Sequence, residues 1–227
     1  MCGRFTLTKN QDEVVAFIDK TFHLNHNQFL ENFQSSYNIA PSQSVITILH
    51  DGQAFKGGYL SWGFPIKTAS QKISFMANAR SETVHEKPTF RQSFRQKRCL
   101  ILADGFYEWD RQQKPSQPHY FYLENYQPFC FAGLWTSYLD EQNQKKFALT
   151  LLTTTSHGTS MAPIHDRLPV VLAPDQYEFW TKSTTPIDEL AFLFQPYNAP
   201  PWRHHPISMY VNRVTNNDSQ CIEEQKK

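Results

Sequence analysis

The chain has 227 residues, of which 40% are hydrophobic and 15% aromatic, and its formal net charge is +1. Such a composition excludes a disordered polymer, and near-neutrality excludes binding of nucleic acid through a global basic field, so any such role needs a local basic patch. The length suits one large domain or two small ones with a sizeable core.

Residues 11–22 read as an amphipathic helix, with Val14, Val15, Phe17, Ile18 and Phe22 on one broad face. Residues 23–44 are polar and close in Tyr37-Asn38-Ile39-Ala40-Pro41-Ser42, a loop by composition. Ser44 to His50 is rich in β-branched residues and predicts a strand, Asp51-Gly52 marks a hairpin, and a second strand runs into Trp62-Gly63-Phe64. A strand-like stretch at 73–83 carries Asn78 and Arg80, and 88–97 reads as a short helix with Arg91, Arg95, Lys97 and Arg98 nearby.

The apolar run Cys99–Ala103 has strand length, and further strands are expected at 119–124, 128–135 and 147–154. Residues 161–169 form a loop before a short strand at 170–172. Pro174 and Asp175 open one C-terminal helix. In the next, Thr185 is expected as N-cap and Pro186 as first helical residue. Residues 195–206 read as Pro-rich loop, 207–214 as an alternating strand and 222–227 as a frayed tail. Many short strands with a few peripheral helices predict a single α+β domain built on a curved, barrel-like, mainly antiparallel sheet.

Four cysteines, Cys2, Cys99, Cys130 and Cys221, form no C-x-x-C pair. With no secretory or membrane-spanning segment recognised, a cytoplasmic protein with free thiols is expected, associated with the nucleoid if bacterial. His23 with His26, and adjacent His204-His205, lack zinc spacing, and no phosphate-binding glycine fingerprint occurs. Neither a metal nor a nucleotide cofactor is expected.

Cys2 follows the initiator methionine. Trimming of Met1, expected when residue two is small, would leave an α-amine and a thiol on adjacent carbons. In model compounds these groups titrate at about 7.7–8.0 and about 8.5, so each keeps a nucleophilic fraction near neutrality. A 1,2-aminothiol condenses with an aldehyde to an imine and then closes a thiazolidine ring. Glu108, after an apolar strand and between Tyr107 and Trp109, is either a solvated loop carboxylate or a desolvated acid/base at an aromatic pocket. His165, between Ile164 and Asp166, is either a structural histidine or a site imidazole. Asn78 and Arg80, two residues apart, face one side of a strand.

The segments Met1-Cys2-Gly3-Arg4-Phe5, Tyr37-Asn38-Ile39-Ala40-Pro41, Trp62-Gly63, Asn78-Ala79-Arg80-Ser81-Glu82-Thr83, Ala103-Asp104-Gly105-Phe106-Tyr107-Glu108-Trp109, Ala132-Gly133-Leu134-Trp135 and His165-Asp166-Arg167-Leu168-Pro169 occur in this order. Together they resemble the SRAP (SOS response-associated peptidase) family of abasic-site processing proteins over 2–215, leaving 216–227 as a charged tail. The resemblance implies binding of single-stranded DNA, especially at junctions with duplex, and a reversible thiazolidine crosslink between Cys2 and the open-ring abasic sugar that shields the strand from cleavage. It also implies a lyase- or hydrolase-type enzyme, with the peptidase name reflecting proposed removal of residues before Cys2.

By the same resemblance Cys2 is the nucleophile, Asn78 positions it or the sugar, Glu108 is the acid/base, and His165 stabilises the sugar hydroxyl or phosphate and assists reversal. Arg4 and Arg80 are implied phosphate contacts, Asn38, Pro41, Trp62 and Trp109 line the DNA path, and Thr154 is a pocket hydroxyl. No membrane contact is expected, and a monomer suffices for one lesion. Rival readings are an N-terminal-nucleophile glutamine amidotransferase, which also begins Met-Cys-Gly, a non-covalent module for single-stranded or modified DNA, and a peptidase acting on other proteins.

Overall fold

Asn10 starts the first helix through a reciprocal cap. Its side chain accepts from the Glu13 amide at 3.0 Å while the Glu13 carboxylate accepts from the Asn10 amide at 2.9 Å, satisfying two otherwise orphaned donors. The computed structural model describes residues 2–24, 29–68, 72–197 and 201–225. Helix α1 (Gln11–Phe22) buries Val14, Ile18 and Phe22, one per turn, and stops at His23 in the left-handed conformation. His26 lies outside the described residues.

The chain runs β1 (Arg4–Leu7), α1, β2 (Ser36–Ile39), β3 (Ser44–His50), β4 (Phe55–Trp62), β5 (Phe64–Lys67), β6 (Ile73–Met76), β7 (Asn78–Arg80), α2 (Pro88–Gln96), β8 (Arg98–Ala103), β9 (Gly105–Asp110), β10 (Gln117–Leu123), β11 (Phe129–Leu139), β12 (Lys145–Thr155), β13 (Arg167–Pro169), β14 (Val171–Leu172), α3 (Tyr177–Thr181) and β15 (Trp202–Pro206). Strands β12, β4, β3, β8 and β11 pair in that order, and β11 pairs back onto β12, closing a ring. Pairing within the ring is antiparallel except for β4 with β12. Beyond the ring, β12 continues into pairings with β7 and β13.

A second, antiparallel sheet, ordered β15–β10–β9–β1–β2, packs against the ring. The Phe5 ring lies 5.1 Å from Trp62 and 5.6 Å from Phe131, and Phe106 lies 6.2 Å from Phe131. These buried side chains belong to one continuous core. Each such apolar side chain removed from water contributes about 1.5–3 kcal/mol. The expected α+β single domain with a barrel-like, mainly antiparallel sheet is therefore what forms.

Several local expectations differ. Tyr37-Asn38-Ile39 is not loop but lies in β2, paired with β1. Residues 202–206 form β15, an edge strand on β10, where flanking prolines and adjacent histidines mask the strand signal. The alternation at 207–214 yields a bridge at Ile207 and a 3-10 turn, Met209–Asn212, because Ile207 and Val211 bury into a satellite cluster instead of pairing with a strand. Thr185 does not cap the following 3-10 helix. Its hydroxyl donates to the Phe179 carbonyl at 2.7 Å, and Pro186 takes the cap position.

The tail is held as far as Gln225. The Asn217 side chain accepts from the Tyr37 amide at 2.7 Å, Cys221 is buried, and the Gln225 amide donates to the Pro206 carbonyl at 2.9 Å. Lys226 and Lys227 lie outside the described residues. Arg98 is buried rather than part of a surface basic cluster, donating to the carbonyls of Phe94, Arg95, Trp180 and Lys182 and so joining the end of α2 to α3.

Asp104 fixes the entry into this framework. Its carboxylate accepts from the Thr6 hydroxyl at 2.6 Å, the Thr8 amide at 2.6 Å, the Thr8 hydroxyl at 2.7 Å and the Lys9 amide at 3.1 Å. Bonds to a charged acceptor are each worth about 1.5–3 kcal/mol. Asp104→Ala is therefore expected to lower stability by about 3 kcal/mol in urea unfolding; an unchanged midpoint would remove the carboxylate from its anchoring role.

Candidate active site

Cys2 sits immediately before β1 and is fully buried. Strand β1 runs antiparallel to β9, with Arg4 opposite Tyr107 and Phe5 opposite Phe106. That register brings the head of β1 beside Glu108 and Trp109. From the other side Asn78, first residue of β7, donates its Nδ2 to the Cys2 carbonyl at 2.8 Å. Asn78 is placed there because β7 runs parallel to β12, with Asn78 opposite Leu151. Its Oδ1 is buried and has no hydrogen-bond partner among the described residues.

Burial pushes the Cys2 thiol well above its ordinary value, and the negative charge of Glu108 raises it further. Glu108 is only 3% exposed. Removal from water lifts its carboxyl from 4.5 to about 8, so it is largely protonated at neutral pH. Its Oε2 lies 3.6 Å from His165 Nε2. Burial lowers the His165 imidazole below its usual range. His165 Nδ1 lies 3.0 Å from both the Arg167 amide nitrogen and the Arg167 carbonyl oxygen, accepting from the first in one tautomer and donating to the second in the other. Should the ring gain a proton, Asp166 Oδ1 at 3.3 Å and the Arg167 carbonyl at 3.0 Å stand ready at Nδ1.

The loop carrying His165 is pinned at its base, where the Ser156 hydroxyl donates to the His165 carbonyl at 2.6 Å. Arg167 donates through both terminal nitrogens to Glu82 and also to the Thr153 carbonyl at 2.6 Å. It thereby ties the Asn78–Thr83 motif to the His165 loop. Residue types alone gave this clamp no role, although both ends lie inside recognisable motifs.

The remaining expected residues divide. Pro41 and Arg80 are exposed, and Thr154 is buried on β12 opposite Leu168. Trp109 is half-buried, its Nε1 donating to Asn212 Oδ1 at 2.9 Å. Trp62, expected along a DNA path, is instead wholly buried, with its Nε1 on the Ala77 carbonyl at 2.8 Å, so no face is free for stacking. Asn38, expected there too, is buried, and its Nδ2 donates to the carbonyls of Val211, Arg213 and Asn216. Arg4 donates to Asn38 Oδ1 at 2.7 Å, the Val211 carbonyl at 2.8 Å and the Asn212 carbonyl at 3.1 Å. Both side chains fasten the C-terminal segment over β1. Asn212, which orients Trp109, carried no sequence signal because its partner lies 103 positions away.

The site thus sets a buried cysteine, the second residue of the chain, in a one-domain barrel with a buried carboxyl and an imidazole. The model of the SOS response associated peptidase (SRAP) family matches residues 1–214, and the chain belongs to this family. The chain is 39% identical over 230 residues to the abasic site processing protein YoqW of Bacillus subtilis (strain 168), covering 98% of this chain and 99% of that protein. It is 24% identical to the abasic site processing protein YedK of Escherichia coli (strain K12), covering 98% and 99%. A crystal structure from Bacteroides thetaiotaomicron superposes with a TM-score of 0.78 at 19% identity, covering 99% of this chain and 100% of that one, and so shares the fold. Among the described residues no helix is long and apolar enough to cross a membrane.

The raised carboxyl gives a signed stability prediction. Folded Glu108 holds its proton from its ordinary 4.5 up to about 8, so stability falls as pH rises through that window. Glu108→Gln abolishes this slope, and above the window the variant is expected to be more stable than wild type by up to about 5 kcal/mol. Urea unfolding at about pH 5 and about pH 9 reads the difference, and parallel behaviour of the two proteins would show Glu108 to titrate normally.

Proposed function

We propose that this protein captures abasic sites in single-stranded DNA, including those at junctions with duplex, through a reversible thiazolidine crosslink to Cys2 once Met1 has been removed. The observation that carries the proposal is the placement of Cys2 between Asn78, which holds its carbonyl at 2.8 Å, and Glu108, whose carboxyl titrates at about 8. The family and the names of the relatives supply the lesion, whose open-ring sugar is an aldehyde.

The buried thiol is a weak initial nucleophile because its deprotonation is suppressed. The freed α-amine therefore attacks the aldehyde carbon first. Protonated Glu108 gives its proton to the departing hydroxyl, water leaves, and a protonated imine forms with the N–H retained. The Glu108 carboxylate so generated takes the thiol proton as sulfur adds to the imine carbon and closes the ring. Aldehyde and aminothiol thus give thiazolidine plus one water, and the carboxyl is restored. Reversal follows the same steps backward. His165, whose Nε2 lies 3.6 Å from Glu108 Oε2, stabilises the intermediate carboxylate and the sugar hydroxyl. Exposed Arg80 supplies a phosphate contact, Pro41 borders the strand, and Trp109 offers a stacking face. Release of Met1 by the site itself belongs to the same proposal, as does action as a monomer in the cytoplasm.

Methionine-free protein incubated with single-stranded DNA bearing an abasic site is expected to give a heat-stable band on a denaturing gel that Cys2→Ala abolishes. Non-covalent binding without such a band would favour a plain binding module, and glutamine hydrolysis an amidotransferase. Glu108→Gln is expected to slow both formation and reversal by about 100-fold, within the usual range for an acid/base. Unchanged rates would remove its role. Asn212→Ala should weaken binding of intact single-stranded DNA by releasing the Trp109 indole, while Asn212→Asp, which keeps the acceptor, should restore it; equal affinities in all three proteins would refute that positioning role.

A further inference from the structure

Histidines His119 on β10 and His204 on β15 form a pair that the abasic-site chemistry does not use. The two strands are antiparallel, with Phe121 opposite His204 and His119 opposite Pro206, so both imidazoles leave the same face of the sheet on a diagonal. Their Nδ1 atoms share a hydrogen bond of 3.4 Å, one nitrogen donating and the other accepting. The rings are held rather than free. His204 stacks on buried Phe121 with centroids 5.1 Å apart and planes 27° apart, and His119 lies 6.4 Å from the same ring.

A tetrahedral zinc ion with two Zn–N bonds of about 2.0–2.1 Å spans an N···N edge of about 3.3–3.4 Å. The observed separation matches that edge, with the ion taking the place of the shared proton. We propose that His119 and His204 chelate a divalent zinc-class cation through their Nδ1 atoms, leaving two coordination positions for water or for a phosphate oxygen. The Asp110 carboxylate, whose charge reaches His119, offsets part of the added positive charge. Among the described residues no set of three or more His, Cys, Asp or Glu is arranged for a metal, so this is a two-ligand, exchangeable site rather than a structural one. In the neighbouring register His119 faces Glu108 across β9 and β10, which places the ion on the same sheet face as the proposed acid/base.

Calorimetric titration of the metal-free full chain with zinc chloride tests the assignment. Wild type is expected to bind one zinc ion at least tenfold more tightly than His119→Ala or His204→Phe, the second variant keeping the stack on Phe121 while removing the nitrogen. Thermal melting without zinc should be the same in all three, which separates loss of a ligand from loss of fold. In nitrogen-15 imidazole spectra both Nδ1 signals should move together on zinc addition. Equal zinc affinity in wild type and His204→Phe, or movement of neither or only one of the two signals, would overturn the site. Because the readout is metal uptake in the absence of DNA, its failure would leave the crosslinking proposal untouched.

Discussion

The antiparallel pairing of β1 with β9 is the constraint from which the site follows. It sets Arg4 opposite Tyr107 and Phe5 opposite Phe106, and the side-chain period of two then decides what faces the core. Phe5 and Phe106 turn inward and seal the sheet against Trp62 and Phe131. Cys2, just before the paired segment, is drawn under the same cover. A slip of one residue would expose Phe5 and bury Arg4, so the packing of two phenylalanines holds the cysteine in register beside Glu108. Asp104 braces this arrangement from the far end of β1, and Asn78 braces it from the ring.

Burial then converts ordinary side chains into a coupled proton system. A carboxyl in water would be ionised at neutral pH, and a thiol would keep a small thiolate fraction. Here desolvation raises both groups and lowers His165, so the resting site carries little charge. Neutrality suits chemistry in which a hydroxyl must leave as water before sulfur adds, because the acid is loaded at the outset. The same burial makes Glu108 a destabilising residue at high pH, a cost common to sites that hold functional groups away from their preferred solvent.

The C-terminal segment completes the site by a different device. Arg4 and Asn38 together engage the carbonyls of Val211, Asn212, Arg213 and Asn216, and Asn212 in turn orients Trp109. Two residues expected to touch DNA thus also fasten this segment. Their polarity reads the same in either role, because a side chain that binds phosphate and one that binds carbonyls use the same donors. Trp62 is ambiguous for a related reason: a large aromatic near a glycine turn suits either a stacking surface or a core, and closure of the ring around it buries it.

The sequence by itself determined the reactive inventory: an aminothiol precursor at Cys2, a carboxylate between aromatics at Glu108, an imidazole at His165 and an amide at Asn78, in an ordered set of motifs. It also determined most strands, because apolar runs such as Cys99–Ala103 and hairpin signals such as Asp51-Gly52 act locally. It missed β15, whose stability comes from its partner β10, and misread 207–214, whose apolar residues bury into a cluster instead of a sheet. Tertiary structure alone decided which polar groups meet and in what protonation state. Hydrogen-bond partners here lie as far as 208 positions apart, and proton affinity depends on solvent excluded by residues from every part of the chain.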